Sequence, residues 1–433
     1  MIEADPPPLL SDDEIWALLE ERIDGYRLSS GISIGITDNG ERRFTSYGTR
    51  RHATGAPVTA DTIFEIGSVT KLFTVLLLAD MAQRGELFLD DPVAKHLPPH
   101  VRAPMRDGQV MTLAHLACHT SGLPRIPRDI DVVHSATPYA GYSTDRLYDF
   151  LSSCALSWPS GQHEEYSNLG MGLLGHVLGL RAGTDYETLV KARICTPLGM
   201  TNTSITLSPA MEKTLAMGHD DSLDPVPNWD LGVLAGAGGL RSNAFDLLTF
   251  LEAFDAPSSP LAAATELFTM PVEGGGLGRL RQTPDGYALI QHEGHTGGYN
   301  AYVEFVPAWR RGVVVLANGS AASASALGRH VMDQRCGDLW FRREAEIDPN
   351  QVDRLVGIYR LRPHFALSVT RDGDRLFVQA TGQRRIRVFA ASPWHYFCKA
   401  VGAQLTFEPG RNGRAARIIL HQNSRDQIAV RID

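Results

Sequence analysis

Two residues with complementary chemistry stand three positions apart in the first fifth of the chain, Ser68 and Lys71. Side chains three apart lie on one face of a helix, and the apolar residues 72–79 that follow predict that this helix is buried. Burial disfavours the charged form of a lysine, so we expect the pKa of Lys71 to lie below its ordinary value. A neutral amine can accept the proton of a neighbouring hydroxyl, which would make Ser68 a nucleophile.

Two further segments carry groups that could serve the same reaction. In Tyr166-Ser167-Asn168, a predicted loop before a glycine-rich apolar stretch, the tyrosine could relay a proton and the asparagine could bind a lysine or a substrate amide. His295-Thr296-Gly297-Gly298 stands before a strand-like segment, where glycines allow a ligand to approach the backbone closely. Each segment also fits a structural role, the first as a helix cap and the second as a hairpin turn.

The order of these three segments is typical of one enzyme superfamily. Ser-x-x-Lys, Tyr-x-Asn and His-Thr-Gly follow one another as in the penicillin-recognising serine hydrolases, which this chain resembles over about residues 10–340. That superfamily contains class C β-lactamases, DD-peptidases, D-aminopeptidases and family VIII carboxylesterases. Residues 64–71, 87–93 and 119–123 also resemble segments of the family. The resemblance implies an α/β (α+β) fold in which an antiparallel sheet is flanked by helices and a helical subdomain.

The resemblance also implies an acyl-enzyme mechanism. Ser68 would attack an acyl carbon, Lys71 and Tyr166 would share the role of base, and Tyr166 would protonate the leaving group. The backbone N–H groups of Ser68 and Gly298 would bind the oxyanion, where a glycine does not obstruct the substrate. Asn168 would orient Lys71 or the substrate. No metal or organic cofactor is expected.

The third segment is where the subfamilies differ. Class C β-lactamases usually carry a lysine where this chain has His295, and a histidine is largely neutral near pH 7. Histidine at this position occurs in DD-peptidase-like and D-aminopeptidase-like members. Thr296 could still donate a hydrogen bond to a carboxylate or amide, and Gly297 would keep the approach of the substrate open. Arg279 and Arg281 could supply a positive charge or could serve solubility at the surface.

The favoured function is therefore that of a serine hydrolase acting on ester or amide bonds of small acyl or peptide substrates, of the carboxylesterase or D-amino-acid peptidase type. Three alternatives stay open. They are a class C-like β-lactamase, an acyltransferase or peptide cyclase that uses the same acyl-enzyme, and a penicillin-binding sensor that is acylated without turnover.

The elements that must position these residues follow from periodicity. Ser11 begins a capping box that opens an amphipathic helix. Strand patterns stand on both sides of a mostly helical section: 32–36, 43–47, 287–290, 302–306 and 312–316. We predict that strands from both ends form one antiparallel sheet, and that the active site lies in the cleft between this sheet and the helices.

The C-terminal part of the chain has a different pattern. Residues 342–349 resemble a linker, and short alternating segments follow, with Asp372-Gly373 marking a hairpin. We predict a hydrolase domain over residues 1–345 and a small antiparallel β-barrel over residues 350–433. The barrel resembles the lipocalin-like domain of some relatives, and it could shape the cleft, mediate oligomerisation or stabilise the chain.

Composition fits an enzyme and argues against other classes. The chain has 433 residues, of which 43% are hydrophobic and 21% charged, enough for a sizeable core. A formal net charge of −8 and the lack of basic runs argue against a nucleic-acid partner, and no segment has the length and apolarity of a membrane span. The expected partner is a small ester, amide or short peptide, and the oligomeric state is open.

Cysteine usage and the first residues bear on the compartment. Five scattered cysteines without a Cys-x-x-Cys pair favour reduced thiols over a disulfide framework or zinc site. The first eight residues lack the features of a signal peptide, so a cytoplasmic location is expected unless a leader was removed. His115 and His119 lack the acidic partner of a zinc-binding helix motif, and a capping or structural role is expected for both.

Overall fold

A computed structural model describes residues 6–131, 135–270, 277–278, 281–336, 341–399, 401–422 and 425–433. The α-helices, numbered in chain order, are α1 Asp12–Glu20, α2 Thr70–Gln83, α3 Leu113–Ala117, α4 Thr144–Ser153, α5 Asn168–Ala182, α6 Tyr186–Val190, α7 Thr196–Leu198, α8 Pro209–Thr214, α9 Ala244–Glu252, α10 Ala262–Thr269, α11 Ala324–Met332 and α12 Pro349–Asp353. The strands are β1 Gly31–Asp38, β2 Glu41–Gly48, β3 Phe64–Glu65, β4 Arg241–Ser242, β5 Arg281–Gln282, β6 Ala288–His295, β7 Asn300–Val306, β8 Arg311–Ala317, β9 Gly357–Arg362, β10 Phe365–Asp372, β11 Arg375–Ala380, β12 Ile386–Ser392, β13 His395–Phe397, β14 Ala403–Pro409, β15 Ala415–Gln422 and β16 Arg425–Arg431.

The central element of the first part of the chain is an antiparallel sheet. Within the described residues its strand order is β2-β1-β8-β7-β6-β5. Ile34 of β1 pairs with Thr45 of β2 on one side and with Val315 of β8 on the other, so strands from both ends of this region lie side by side, as predicted. Helices α1 and α11 pack on one face of the sheet and α9 on the other, and all residues of β7 and β8 are consequently buried.

Helix α2 is buried along most of its length, as the apolar residues 72–79 predicted. Its residues from Thr70 to Met81 are all buried, so it crosses the protein interior rather than lying on the surface. A 3₁₀ turn, Gly67–Val69, leads into it. Gly67 has a φ of 49°, and a Cβ atom there would lie 2.7 Å from the backbone nitrogen of His295. Only glycine fits this conformation and this close approach, which brings the start of α2 against the end of β6.

The C-terminal strands form the predicted antiparallel barrel. In the part of the chain that the structure describes, β9 to β16 close on themselves, with β16 pairing with β9. Asp372 lies opposite Arg375, which confirms the hairpin predicted at the Asp-Gly turn. Buried side chains such as Tyr359, Leu405 and Phe407 form the barrel's core. The likeness to lipocalins stays a prediction.

The barrel contacts a loop of the first part of the chain. Arg375 in β11 forms an ion pair with Asp224, and Lys399 donates a hydrogen bond of 2.9 Å to the carbonyl oxygen of Arg27. The loop that holds Asp224 continues to Trp229, which lines the main cleft. The barrel therefore touches a segment that reaches the cleft.

Among the helices of the described residues, none combines the length and the apolarity needed to cross a membrane. No disulfide joins the cysteines in these same residues.

Candidate active site

Ser68 and Lys71 lie together at the start of α2. Ser68 is half-buried in the 3₁₀ turn, and Lys71 is only 2% exposed. Lys71 Nζ donates hydrogen bonds to Ser68 Oγ at 2.9 Å and to the carbonyl oxygen of Ala237 at 2.5 Å. Burial, assisted by the nearby charge of Arg125, holds the pKa of Lys71 well below its ordinary value, in the expected direction. Burial thus favours the neutral form of this amine, which lies adjacent to the hydroxyl that it would deprotonate.

Tyr166 approaches the same hydroxyl from a different element. Its OH donates a hydrogen bond of 2.8 Å to Ser68 Oγ. Burial raises the pKa of Tyr166 to about 12, so the phenol keeps its proton at neutral pH. The ring centre lies 4.9 Å from Lys71 Nζ and 5.0 Å from Arg125 Cζ. The serine oxygen therefore has a proton acceptor and a proton donor within hydrogen-bond distance.

The segment Tyr166-Ser167-Asn168 has both of the roles considered for it, because the tyrosine contacts the nucleophile and the serine caps a helix. Ser167 caps α5, because its Oγ accepts a hydrogen bond of 2.9 Å from the backbone N–H of Gly170. The carbonyl oxygen of Arg125 accepts the N–H groups of Asn168 at 2.8 Å and Leu169 at 3.2 Å. These bonds fix the loop before α5 and hence the position of the tyrosine.

Asn168 contacts a tyrosine rather than the lysine. Its Nδ2 donates a hydrogen bond of 3.1 Å to Tyr139 OH. Its Oδ1 is buried and has no hydrogen-bond partner in the described part of the chain. Since a buried amide oxygen without a partner is costly, this atom is suited to accept an N–H from a bound substrate.

The structure divides the third predicted segment. His295, the last residue of β6, lines the cleft with an exposed side chain, whereas Thr296, Gly297 and Gly298 are not among the residues that line it. Thr296 N–H donates to the carbonyl oxygen of Tyr299 at 3.2 Å, which closes a turn between β6 and β7. The structure therefore brings together Ser68, Lys71, Tyr166, Asn168 and His295, and it places the other three residues beyond the strand end.

The two glycines of this turn pack against other loops. A Cβ atom on Gly297 would lie 2.8 Å from Trp229 Nε1. One on Gly298 would lie 2.6 Å from the backbone nitrogen of His219, and the carbonyl oxygen of Gly298 accepts the N–H of His219 at 3.2 Å. These glycines permit close packing of the turn against residues 218–229.

The backbone N–H of His295 lies on the side of β6 that is nearer to Ser68. Neighbouring residues in an antiparallel strand direct their N–H groups to opposite edges. Because Thr296 N–H bonds the carbonyl oxygen of Tyr299, the residue just before β7, the N–H of His295 points away from β7. The backbone of Gly67, the residue before Ser68, lies against this nitrogen. The backbone nitrogen of His295 therefore lies close to the 3₁₀ turn that carries Ser68.

A second histidine of β6 lies beside Tyr166. The ring centres of His292 and Tyr166 are 6.4 Å apart, and His292 Nδ1 lies 2.7 Å from the carbonyl oxygen of Glu293. A Cβ atom on Gly294 would lie 2.0 Å from the carbonyl oxygen of Ile66, so only glycine fits at this point of β6. His292-Glu293-Gly294 is therefore the His-x-Gly segment that lies inside the strand.

The electrostatics of His295 favour the neutral form. Desolvation in the cleft lowers the pKa of its imidazole, and the charge of Glu293 only partly opposes this effect. Glu293 itself forms an ion pair of 2.6 Å with Arg329. The imidazole of His295 is therefore a neutral hydrogen-bonding group at pH 7.

The five predicted residues that the structure brings together line a cleft of about 750 Å³. Trp229 and Tyr139 form an aromatic part of its wall, with ring centres 5.5 Å apart. Arg125 and Arg281 also line it, while Arg279 lies outside the described residues. The cleft combines polar groups around the serine with apolar and aromatic walls, as small-molecule sites do.

A buried ion pair that the sequence analysis did not find holds this wall in place. Glu65, in β3, forms an ion pair of 3.1 Å with Arg241 in β4. Glu65 Oε1 also accepts the backbone N–H of Trp229 at 2.9 Å, and Arg241 donates to the Trp229 carbonyl oxygen at 3.0 Å. Both backbone polar groups of Trp229 are thus bound by the pair.

A comparison with protein families places this geometry in context. The family model described as "Beta-lactamase" matches residues 18–334. The chain belongs to the β-lactamase family. A second model, "Domain of unknown function (DUF3471)", matches residues 342–431, the region of the barrel.

Individual relatives of this β-lactamase family member include peptidases and β-lactamases. It is 29% identical over 313 residues to the D-alanyl-D-alanine-carboxypeptidase/endopeptidase AmpH of Escherichia coli K12, covering 67% of this chain and 80% of that protein. It is 27% identical over 336 residues to a β-lactamase of Pseudomonas fluorescens, covering 68% of this chain and 90% of that protein. The family assignment makes the chain a β-lactamase-fold serine hydrolase.

Solved structures agree on the fold of this family member. A class C β-lactamase of Rhodobacter sphaeroides has a TM-score of 0.62 and 29% identity, covering 75% of this chain and 99% of that one. An octameric penicillin-binding protein homologue of Pyrococcus abyssi has a TM-score of 0.64 and 24% identity, covering 97% of this chain and all of that one. The second likeness extends to the barrel and shows the fold alone.

The remaining candidate of the sequence analysis, a histidine pair, has structural contacts. His115 completes the capping box of α3, whose N-cap is Thr112: its N–H donates to Thr112 Oγ1 at 3.3 Å and its Nδ1 accepts the N–H of Thr112 at 3.2 Å. His119 Nδ1 accepts the N–H of Ser167 at 3.1 Å. In the described ranges no group of three or more histidine, cysteine or acidic residues is arranged to bind a metal ion.

Proposed function

We propose that this β-lactamase family member hydrolyses ester or amide bonds of small acyl or peptide substrates through an acyl-enzyme on Ser68, as a carboxylesterase or D-amino-acid peptidase does. The observation that carries this proposal is the pair of hydrogen bonds at Ser68 Oγ, one from Lys71 and one from Tyr166. A buried neutral amine and a neutral phenol at one hydroxyl supply the base and the acid of acyl transfer.

Acylation begins when Lys71 accepts the proton of Ser68 and the serine oxygen bonds to the acyl carbon. The resulting tetrahedral intermediate collapses, and the bond to the leaving group breaks. Tyr166 gives its phenolic proton to the leaving group and regains a proton from Lys71. In the second half of the reaction a water molecule gives its proton to the same relay and attacks the acyl carbon, which releases the acid and restores Ser68.

The oxyanion is bound by the backbone N–H groups of Ser68 and His295. This assignment replaces the expected donor, Gly298, because the carbonyl oxygen and backbone of Gly298 pack against His219. The N–H of His295 instead points towards the region of the nucleophile. Loss of one such donor typically costs about 3 kcal/mol of transition-state stabilisation.

The roles of the remaining predicted residues follow from their positions. Asn168 binds a substrate amide through its buried Oδ1, and His295 also contributes a neutral imidazole to the cleft wall. Thr296 and Gly297 shape the turn that supports this wall and do not contact the substrate. The proposed mechanism requires no metal or organic cofactor.

A β-lactamase is the second candidate function. It is supported by relatives named β-lactamases, such as that of Pseudomonas fluorescens, and by the similarity to a class C enzyme structure. Against it, neither His292 nor His295 supplies the permanent cation of a lysine at the third motif.

The wider organisation is part of the same proposal. We assign residues 1–345 to the hydrolase domain and residues 350–433 to the barrel domain, which agrees with the two matched family regions. A cytoplasmic location agrees with cysteines that form no disulfide in the described residues.

Turnover of three chromogenic substrates tests the proposal. The substrates are a short-chain p-nitrophenyl ester, a D-alanine p-nitroanilide and a cephalosporin reporter. Wild type should turn over the ester or the anilide, and Ser68→Ala should lose about a thousandfold or more. Ser121→Ala is the control and should keep its activity, because Ser121 is a buried serine that does not line the cleft and whose Oγ accepts the N–H of Leu123. Preferential turnover of the cephalosporin would establish the second candidate, and full activity of Ser68→Ala would refute the nucleophile.

A further inference from the structure

One loop, residues 218–229, connects the barrel with the active-site cleft. At its base the N–H of His219 donates a hydrogen bond of 3.2 Å to the carbonyl oxygen of Gly298, in the turn that follows β6. At its end Trp229 lines the cleft. A change in the position of this loop therefore reaches both the end of β6 and the cleft wall.

The tip of the loop, residues 220–224, is a tight turn with a strained backbone. The N–H of Asp220 donates to the carbonyl oxygen of Asp224 at 2.9 Å, and Asp220 Oδ1 accepts the N–H groups of Ser222 at 2.8 Å and Asp224 at 3.0 Å. Leu223 is buried in the left-handed region, with a φ of 63°. A bulky residue keeps this conformation only where its surroundings hold it, and such strain is often found at functional segments.

The tip and the barrel carry opposite charges where they meet. The tip holds three carboxylates within five residues, Asp220, Asp221 and Asp224. Arg375 in β11 forms an ion pair with Asp224, and the charge of Asp220 also acts on it. Burial raises the pKa of Asp221 to about 6, and three cations of the barrel oppose this rise: Arg387, Lys399 and Arg384. Electrostatic attraction to the barrel therefore holds the acidic tip.

We propose that the barrel positions the wall of the active-site cleft through this loop, and that Arg375 is the positioning residue that holds the tip. Arg375 is not among the described residues that line the cleft, so it acts through Asp224 and Trp229 rather than on the substrate. For its effect on the reaction this inference rests on the proposed function. It selects, from the three roles open for the barrel, the shaping of the cleft.

Reversal of one charge tests the contact. In Arg375→Glu a glutamate faces Asp224, so attraction becomes repulsion and the tip separates from the barrel. With p-nitrophenyl acetate we expect KM to rise by about tenfold and kcat to stay within about twofold, because Ser68, Lys71 and Tyr166 are held by other elements. The double variant Arg375→Glu/Asp224→Arg restores an ion pair and should return KM to within about twofold of wild type.

Arg417→Glu is the matched control. Arg417 forms an ion pair with Glu408 inside the barrel, and these side chains are 49% and 33% exposed, compared with 40% and 47% for Arg375 and Asp224. Urea unfolding should therefore show similar, small losses of stability for Arg417→Glu and Arg375→Glu. KM should rise in Arg375→Glu alone, which separates positioning of the cleft wall from a loss of stability.

A measurement that does not depend on turnover reports the wall directly. In protein labelled with 5-fluorotryptophan, the ¹⁹F resonance of Trp229 is identified by its loss in Trp229→Phe. Arg375→Glu should shift or broaden this resonance, and the double variant with Asp224→Arg should restore it. The resonance of Trp158, an exposed residue outside the loop, should stay unchanged in both variants.

The two readouts distinguish failure of this inference from failure of the proposed function. If p-nitrophenyl acetate is not hydrolysed but the Trp229 resonance responds to Arg375→Glu and recovers in the double variant, the proposed function fails and the positioning by the barrel stands. The inference is overturned if Arg375→Glu leaves the KM and the Trp229 resonance of wild type unchanged, or if Arg417→Glu changes them equally.

Discussion

Breaking the buried ion pair beneath Trp229 should strongly destabilise the hydrolase part of the chain. The side chains of Glu65 and Arg241 are only 4% and 12% exposed, and Glu65 Oε2 has no partner in the described residues. Removal of one member of such a pair leaves an uncompensated buried charge, which costs about 3–5 kcal/mol. We therefore expect Glu65→Met and Arg241→Met each to lower the free energy of unfolding by about this amount.

The double variant distinguishes a charge effect from a simple loss of packing. Glu65→Met/Arg241→Met leaves no isolated charge, so its cost should be smaller than the sum of the single costs by about 2 kcal/mol. The assay is urea unfolding at neutral pH, followed by circular dichroism and by loss of activity. Asp129→Ala is the control, because its ion pair with Arg146 is 45% and 43% exposed and should be worth about 1 kcal/mol or less. Single variants within about 1 kcal/mol of wild type, or strictly additive costs, would refute the reasoning.

Three further predictions concern the reaction itself. Lys71 acts as a base in its neutral form, so kcat/KM should rise with pH as Lys71 loses its proton. Because the pKa of Lys71 is lowered, kcat/KM should reach its plateau below the pH at which an ordinary lysine loses its proton. A value of kcat/KM that still rises through that pH would contradict the lowered pKa. Tyr166→Phe removes the proton donor and should lower kcat by about a hundredfold or more, with unchanged unfolding by circular dichroism. Gly294→Ala places a Cβ atom 2.0 Å from the Ile66 carbonyl oxygen and should abolish turnover by displacing β6, whereas Gly402→Ala, with no atom within 4 Å, should be neutral in the same assay.

Much of the fold could be predicted because its signals are local. The run of apolar residues at 72–79 predicted a buried helix, and α2 is buried from Thr70 to Met81. The alternating pattern around Asp372 predicted a hairpin that the barrel contains. The pairing of β1 with β8 joins segments that are distant in the sequence. It could still be predicted, because alternating strand patterns occur before and after the helical section.

The third segment shows where a local pattern is ambiguous. His-x-Gly occurs twice in succession, at residues 292–294 and 295–297, and sequence alone favoured the copy that also carries a threonine. Which copy faces the nucleophile depends on where β6 ends and on which glycine lies against Ile66. The end of β6 and the contact of its glycine with Ile66 depend on packing between segments more than 200 residues apart. The spacing of residues within the motif therefore does not predict them.

The support of the cleft wall could not be predicted for a related reason. Glu65 and Arg241 are separated by 176 residues. Glu65 lies in the segment 64–71 that resembles the family, but nothing in that segment indicates that its partner is Arg241. This pair is important for stability because it is buried, since an exposed glutamate and arginine would contribute little to the free energy of unfolding.

The most direct test of the central claim is the mass of the acylated protein. Wild type, Ser68→Ala and Ser121→Ala are mixed with p-nitrophenyl acetate, quenched with acid within the first turnovers and analysed by intact mass and peptide mapping. We predict one acetyl group on Ser68 in wild type and in Ser121→Ala, and none in Ser68→Ala. An acetyl group that persists in Ser68→Ala, or that maps to another residue in wild type, would contradict the assignment of Ser68 as the nucleophile.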